Sequence, residues 1–262
     1  MTGIAGRVAV VTGGASGIVL ALATELVTRG AVVALADIQL DAATEAAAEI
    51  GATPFAVDVS DRAGVEALAA DVRAVLGPVG ILANNAGVAS TARLDEMTDA
   101  DWAWLLGVNL MGIAHGVTAF LPQLRETRGH ILNTGSMAGF ASGPGTGGYG
   151  TTKFAVTGYT EVLADELADE GIGVTLLAPG PVRTGLGFSS RNRPAGSTGA
   201  LQDQDLAAGD GGGLRRMDPV EVAVIAADAI EADSRYAITH PDWVDVVLER
   251  HRAIEAAFGV GP

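Results

Sequence analysis

Two kinds of apolar pattern alternate along the chain. Short runs such as Val8-Ala-Val-Val-Thr12 and Val32-Val-Ala-Leu-Ala-Asp37 are continuously apolar and rich in β-branched residues, as strands buried on both faces are. Between them, apolar residues return every three or four positions, for example Ile18, Leu22 and Leu26, the spacing of one helix face. The pattern predicts strands over 8–12, 32–37, 53–57, 81–84, 129–134, 173–178 and 236–239. It predicts helices over 17–29, 40–50, 61–76, 99–124 and 149–170, a further one from Pro219, and an amphipathic one over 242–258. Gly77-Pro78 is a stop signal, and Pro219 after Asp218 is a favourable first helical position. Strand alternating with helix predicts an α/β fold: one domain, 1–262, with a doubly wound parallel sheet of about seven strands and helices on both faces.

One segment breaks the rhythm. Residues 184–218 carry Gly, Ser, Asn, Arg and Asp with little periodicity. A loop that long inside a compact domain is usually a lid or a binding loop, or disordered; here it is read as the substrate loop.

Composition narrows the function. The 262 residues carry 31 acidic and 16 basic side chains, a formal charge of −15, with no basic run to neutralise phosphates, so nucleic acid is not expected as a partner. There is no cysteine, which excludes disulfides and thiolate chemistry. His115, His130, His240 and His251 lack metal-ligand spacing, so no metal is expected and no role is assigned to them. The first residues have no signal-peptide pattern, and no uninterrupted apolar run approaches the roughly 20 residues of a membrane span. The expectation is a soluble, cytoplasmic protein with no membrane partner.

The turn after the first predicted strand, Thr12-Gly13-Gly14-Ala15-Ser16-Gly17-Ile18, is built of small residues. Such a turn lets backbone N–H groups and a helix N-terminus approach a pyrophosphate, although a plain tight turn has the same composition. Its position makes the predicted sheet Rossmann-like. Asp37 ends the second strand, where its carboxylate would accept the adenosine ribose hydroxyls and repel a 2′-phosphate, favouring NAD over NADP. Asp58 and Val59 follow the third strand and could meet the adenine; a helix cap is the other reading, with Ser60 equally suited to it.

Tyr149 and Lys153, the only lysine in the chain, are four residues apart and so share a helix face. A phenol titrates near pH 10, so making it useful near neutrality requires about 4 kcal/mol. A positive charge about 4 Å away at an effective dielectric of about 20 supplies about that much. The pairing therefore predicts an acid–base tyrosine whose pKa is lowered by the lysine.

The glycine turn, Asp37, Asp58, Asn84-Asn-Ala-Gly87, Asn109, Ser136, Tyr149, Lys153 and Pro179-Gly-Pro-Val-Arg-Thr184 fall in this order along the chain. Together they resemble the classical short-chain dehydrogenase/reductase family, from about residue 7 to 257. The resemblance implies Ser136, Tyr149 and Lys153 as a catalytic trio, with Asn109 as a fourth member. Tyr149 would be the general acid or base, Lys153 would also grip the nicotinamide ribose, and Ser136 would hold the substrate oxygen. For Asn109 it implies a water continuing the proton path, while an amide satisfied within the core is the alternative. It further implies a cofactor site of Gly13, Ser16, Gly17, Ile18, Asp37, Asp58, Val59, Asn85, Ala86, Gly87, Tyr149, Lys153, Pro179, Gly180, Val182 and Thr184.

The chain departs from the family at Val19, where a glycine is usual. That substitution either repacks locally or crowds the cofactor. The substrate is expected to meet Ser136, Tyr149, Met137, Ala138, Phe140, Leu186 and Phe188, with Leu214 beside them, in a pocket framed by 138–146, Pro181 and the loop. These side chains suggest an apolar alcohol or ketone. Arg191, Arg193, Arg215 and Arg216 could meet an anion or simply be solvated.

The expected function is interconversion of a secondary alcohol and a ketone with NAD, in a homotetramer or homodimer. A 3-oxoacyl (acyl-carrier or acyl-CoA) ketoreductase and a non-catalytic dinucleotide-sensing or scaffold protein are the rivals.

Overall fold

The computed structural model describes residues 3–13, 16–194, 199–204 and 215–259. Seven strands form one parallel sheet in the order β3-β2-β1-β4-β5-β6-β7: β1 Val8–Thr12, β2 Val32–Asp37, β3 Thr53–Ala56, β4 Val79–Asn84, β5 His130–Thr134, β6 Gly173–Ala178 and β7 Tyr236–Ile238. Every residue of β1 and β4 is buried, which is why these strands are continuously apolar up to their last residues, Thr12 and Asn84, rather than alternating.

Helices α1 Gly17–Thr28, α2 Leu40–Ile50 and α7 Pro219–Ala232 cover one face, where Leu22, Leu26, Ala47, Val222 and Ile230 join Val11, Leu35 and Ile81 in one core. Helices α3 Arg62–Leu76, α5 Gly112–Thr127 and α6 Gly147–Leu167 cover the other, with Leu68, Phe120, Leu124, Val156 and Leu163 packed on Val10, Leu82 and Ile131. The chain reverses direction across the sheet between β1 and β4. This switch point opens a crevice beyond the strands' carboxyl ends, where open α/β sheets bind ligands.

Three local findings differ from the sequence expectation. The predicted helix over 99–124 is two α-helices, α4 Asp99–Leu106 and α5, joined by a π-helical stretch, Gly107–Met111, that carries Asn109. The cap of α3 is Asp61, whose carboxylate accepts the Ala63 N–H at 3.1 Å; Ser60 turns back to Asp58 instead. The last helix, α8 Val244–Ala257, buries none of its residues: Val244, Val246, Leu248 and Ile254 stay exposed, and its contact with the body includes Arg250 over the Phe154 ring at 4.9 Å.

The rod from Asp99 to Thr127 is long and apolar enough to cross a membrane. Here it is a core element, with Leu105, Ile113, Phe120 and Leu124 fully enclosed by the fold.

Candidate active site

Strand order lays the expected cofactor residues side by side along the crevice. Asp58 follows β3, Asp37 ends β2, Gly13 follows β1, Asn85 to Gly87 follow β4, Ser136 follows β5 and Pro179 to Thr184 follow β6. All of these except Arg183 line one cavity of about 950 Å³, at the upper end of the roughly 300–1,000 Å³ of ligand clefts. Ser16, Gly17, Ile18 and Val59 line it too. Gly14 and Ala15 of the glycine turn, and Leu214 of the loop, lie outside the described residues.

The cradle has the shape a dinucleotide requires. Gly13 has φ +83, and a Cβ there would come within 2.8 Å of the Ala86 backbone, so only glycine permits the two loops to approach. The Thr12 hydroxyl ties them, accepting the N–H groups of Asn85 and Ala86 at 3.1 and 3.2 Å. The Asp37 carboxylate accepts the Gln39 N–H at 2.9 Å, and Asp58 accepts both the N–H and the hydroxyl of Ser60. Val19 is buried in the core beneath α1 and also lines the cavity, so the extra bulk is accommodated by packing beside the cradle.

At the far end stand the residues of the expected trio. Tyr149 and Lys153 lie in the first two turns of α6, and the Lys153 ammonium is 5.6 Å from the centre of the Tyr149 ring. The ammonium is buried and donates to the Thr134 carbonyl at 2.8 Å. The Ser136 hydroxyl accepts the Ala138 N–H at 3.1 Å and donates to the Pro179 carbonyl at 3.4 Å, which fixes it at the cavity wall.

The electrostatics correct the sequence expectation. Burial pushes the Tyr149 phenol up to about 12, with the adjacent Ser136 hydroxyl opposing the rise, and burial pushes Lys153 down to about 8. Desolvation disfavours both charged forms and is the largest influence on each. In the free protein Tyr149 is therefore a protonated donor.

Asn109 finds its partners within the protein. Its carbonyl accepts the Val88 N–H at 2.8 Å, and its amide donates to the Val88 carbonyl at 2.9 Å and the Thr152 hydroxyl at 3.0 Å. It thus clamps the segment after β4 against α6. Placing this amide on a π-helical turn is in keeping with the frequent occurrence of such turns at functional sites.

The substrate side differs more. Ala138 and Leu186 line the cavity, as do Ala141, Ser142, Pro144, Thr146 and Pro181, but Met137, Phe140 and Phe188 do not. Met137 is buried beneath the turn, with its N–H on the Pro179 carbonyl. Phe140 packs into the sheet's core and edge-on against Tyr236, with ring centres 6.4 Å apart. Phe188 is exposed. In their place stand Trp104, which is also buried in a small core cluster, and Trp243.

The loop over this end is fastened rather than solvated. Arg193 forms an ion pair with Asp101, which is wholly buried, and lies over the Trp104 ring at 5.4 Å. Thr91 and Gln202 pair as an antiparallel bridge. Arg191 donates to the Gly185 and Phe188 carbonyls, and Arg215 pairs with Glu221. Among the described residues no cluster of His, Asp and Glu could hold a metal ion.

The sequence model of the family described as short chain dehydrogenase matches residues 7–194. The chain is 31% identical over 256 residues to C alpha-dehydrogenase of Sphingobium sp. strain SYK-6, covering 94% of this chain and 84% of that protein. It is 33% identical over 211 residues to a 3-oxoacyl-(acyl-carrier-protein) reductase of Haemophilus influenzae, covering 76% and 87%. Among solved structures it resembles a short chain dehydrogenase/reductase from Burkholderia phymatum in complex with NAD, with 34% identity, TM-score 0.88 and coverage of 100% and 98%. With the sheet order, the glycine cradle and these matches in agreement, the chain belongs to the short-chain dehydrogenase/reductase family, enzymes that move hydride between CH–OH groups and NAD(P).

Proposed function

We propose that the protein interconverts an apolar secondary alcohol and its ketone with NAD, using Tyr149 as general acid and base. The observation that carries this reading is the meeting of Ser136, Tyr149 and Lys153 on one wall of the cavity, at the end opposite Asp37 and Asp58. The cradle residues fit a dinucleotide lying along the strand ends, with Asp37 at the adenosine ribose and Pro179, Gly180, Val182 and Thr184 at the nicotinamide. A carboxylate at the ribose supports NAD over NADP, since a 2′-phosphate would meet like charge. The Burkholderia relative was solved with NAD.

The bound dinucleotide supplies the hydride acceptor or donor. The chain's own groups manage the proton. For ketone reduction, Ser136 donates a hydrogen bond to the carbonyl oxygen, and Tyr149 gives that oxygen its proton as the carbon receives hydride. For alcohol oxidation the Tyr149 oxygen takes the hydroxyl proton. Lys153, close behind and held by the Thr134 carbonyl, favours the phenolate, which reduction leaves behind and oxidation starts from. Asn109 keeps α6 and the segment after β4 in register so that these groups stay aligned.

Trp104, Trp243, Leu186, Ala138, Ala141 and Pro144 around the trio support an apolar substrate. A 3-oxoacyl ketoreductase is the second reading, favoured by the Haemophilus relative. A panel of secondary alcohols, their ketones and 3-oxoacyl thioesters, assayed with NAD(H) and NADP(H), tests both. Turnover of apolar alcohols with NAD supports the first reading; turnover confined to thioesters supports the second, and none with any substrate overturns both.

We also infer a cytoplasmic homotetramer or homodimer, in keeping with the exposed apolar Met111 and Val162 on the long helices. Sedimentation at the mass of a single 26.4 kDa chain would contradict the assembly.

A further inference from the structure

His240 lies just past β7, buried, and both of its ring nitrogens are committed. Nδ1 accepts the Gly180 N–H at 3.2 Å and lies 2.6 Å from the Thr239 hydroxyl. Nε2 is 2.8 Å from the Arg215 carbonyl. A carbonyl only accepts and a backbone N–H only donates, so these partners fix one tautomer: the proton is on Nε2 and the lone pair is on Nδ1. The ring is pressed against its neighbour, since a Cβ on Gly180 would fall 2.5 Å from Nδ1. Gly180 belongs to the segment read above as holding the nicotinamide. Arg215 begins the return limb of the substrate loop, which also pairs with that segment through Met217 N–H to the Pro181 carbonyl at 3.0 Å and Arg183 N–H to the Met217 carbonyl at 3.1 Å.

We propose that His240 is a positioning residue that couples the nicotinamide-binding segment to the substrate loop, one ring nitrogen serving each. The proposal rests on the reading of 179–184 as the cofactor segment. His240 touches neither the reacting atoms nor the cofactor. It sets where Gly180 sits when the dinucleotide arrives, and the Arg215 carbonyl holds the loop to the same ring. The cofactor segment and the return limb of the loop thereby share one anchor.

The two links separate by side-chain length. In His240→Asn the amide oxygen takes the place of Nδ1 and keeps the Gly180 bond, but the side chain is too short for Arg215. In His240→Gln the amide nitrogen reaches toward the Arg215 carbonyl, and Gly180 is left to Thr239 alone, at 3.0 Å. Losing one such bond changes an equilibrium by about fivefold. NADH affinity, read by its fluorescence, is expected to stay within about twofold of wild type in His240→Asn and to weaken about fivefold in His240→Gln. The KM for the alcohol should shift the other way, rising about fivefold in His240→Asn and little in His240→Gln.

Equal effects of the two variants on both readouts, no effect of either, or the reverse pairing overturns the proposal. Long-range ¹H–¹⁵N spectra of the wild-type imidazoles provide a check that does not depend on a variant folding: the Nε2–H form supports the coupling, and the Nδ1–H form rules it out. A wild-type protein that does not bind NADH would sink the cofactor reading and this proposal with it. NADH binding with indistinguishable variants sinks the proposal alone.

Discussion

At the scale of single residues, the groups proposed as catalytic sit where burial opposes their charge. Lys153 is held near 8 by burial rather than at its ordinary value of 10.5, so the unfolded chain binds this proton more tightly between pH 8 and 10.5. The ammonium therefore destabilises the fold below pH 8, and the penalty fades as pH rises to 10.5. Lys153→Met should abolish turnover yet gain stability on the order of 3 kcal/mol at pH 7. Thermal melts of both proteins check this, with the gap closing as pH rises through that window. Asp37 gives a second residue-level expectation. Asp37→Ser with Ile38→Arg removes the carboxylate and adds a cation beside the ribose, and should shift the NAD to NADP ratio of kcat/KM toward NADP by at least tenfold, about 1.4 kcal/mol. An unchanged ratio would remove Asp37 as the selector. Tyr149, Lys153 and Asp37 were readable from residue type and spacing. The direction of the Tyr149 shift was not, because spacing gives the distance between charges but says nothing of how much solvent each has lost.

At the scale of elements, the loop proposed to meet the substrate hangs on α4 through Arg193 and Asp101. Burial alone would raise the Asp101 carboxyl, but hydrogen bonds from Thr98, Ala200 and Arg193 outweigh it and hold it at about 2. A depressed carboxyl contributes stability that is present above about pH 4 and lost as pH falls toward 2, so this latch stays closed at any physiological pH. Asp101→Asn removes the buried charge that Arg193 pairs with, a change expected to cost on the order of 2 kcal/mol. The expected result is faster proteolysis within 186–204 and a raised KM for the alcohol, with NADH affinity little changed; limited digestion and steady-state kinetics measure both. Neither this latch nor Trp104 was legible in the sequence. Asp101 and Arg193 are 92 residues apart, and Trp104 is a core residue that also faces the cavity, which spacing alone does not reveal. The π-helical turn at Asn109 was hidden for a related reason, since apolar periodicity reads straight through it. His240 left one clue, its place at the carboxyl end of a strand, the edge of the sheet where α/β proteins build their sites.

At the scale of the whole molecule, the sequence carried the alternation of strands and helices, and connection rules carried the parallel sheet. Every predicted strand is present within two residues of its expected bounds, because strands buried on both faces have an unmistakable composition. The amphipathic C-terminal helix formed but buried nothing, since periodicity marks an apolar face without supplying a surface to cover it. The fold also carries an acid liability at the amino end of the strands, opposite the site. Burial lowers His130 to about 4, with Asp233 opposing and Arg7 reinforcing the shift. Because the unfolded chain binds this proton near pH 6.5, stability should fall as pH drops from 6.5 to 4, by up to about 3 kcal/mol. A His130→Gln variant that keeps a bond to Thr175 should flatten that slope in urea titrations across the window, and an unaltered slope would place the liability elsewhere.

The proposed reaction turns on one atom: the Tyr149 oxygen exchanges the proton, with Ser136 and Lys153 supporting it. Single-turnover absorbance measurements on Tyr149→Phe, mixed with NAD and an alcohol that the wild type oxidises, test it most directly, with NADH affinity measured on the same sample. NADH should bind within about threefold of wild type, less than about 0.7 kcal/mol, and hydride transfer should slow by at least about a thousandfold. Transfer at near wild-type rate with the cofactor bound would contradict it.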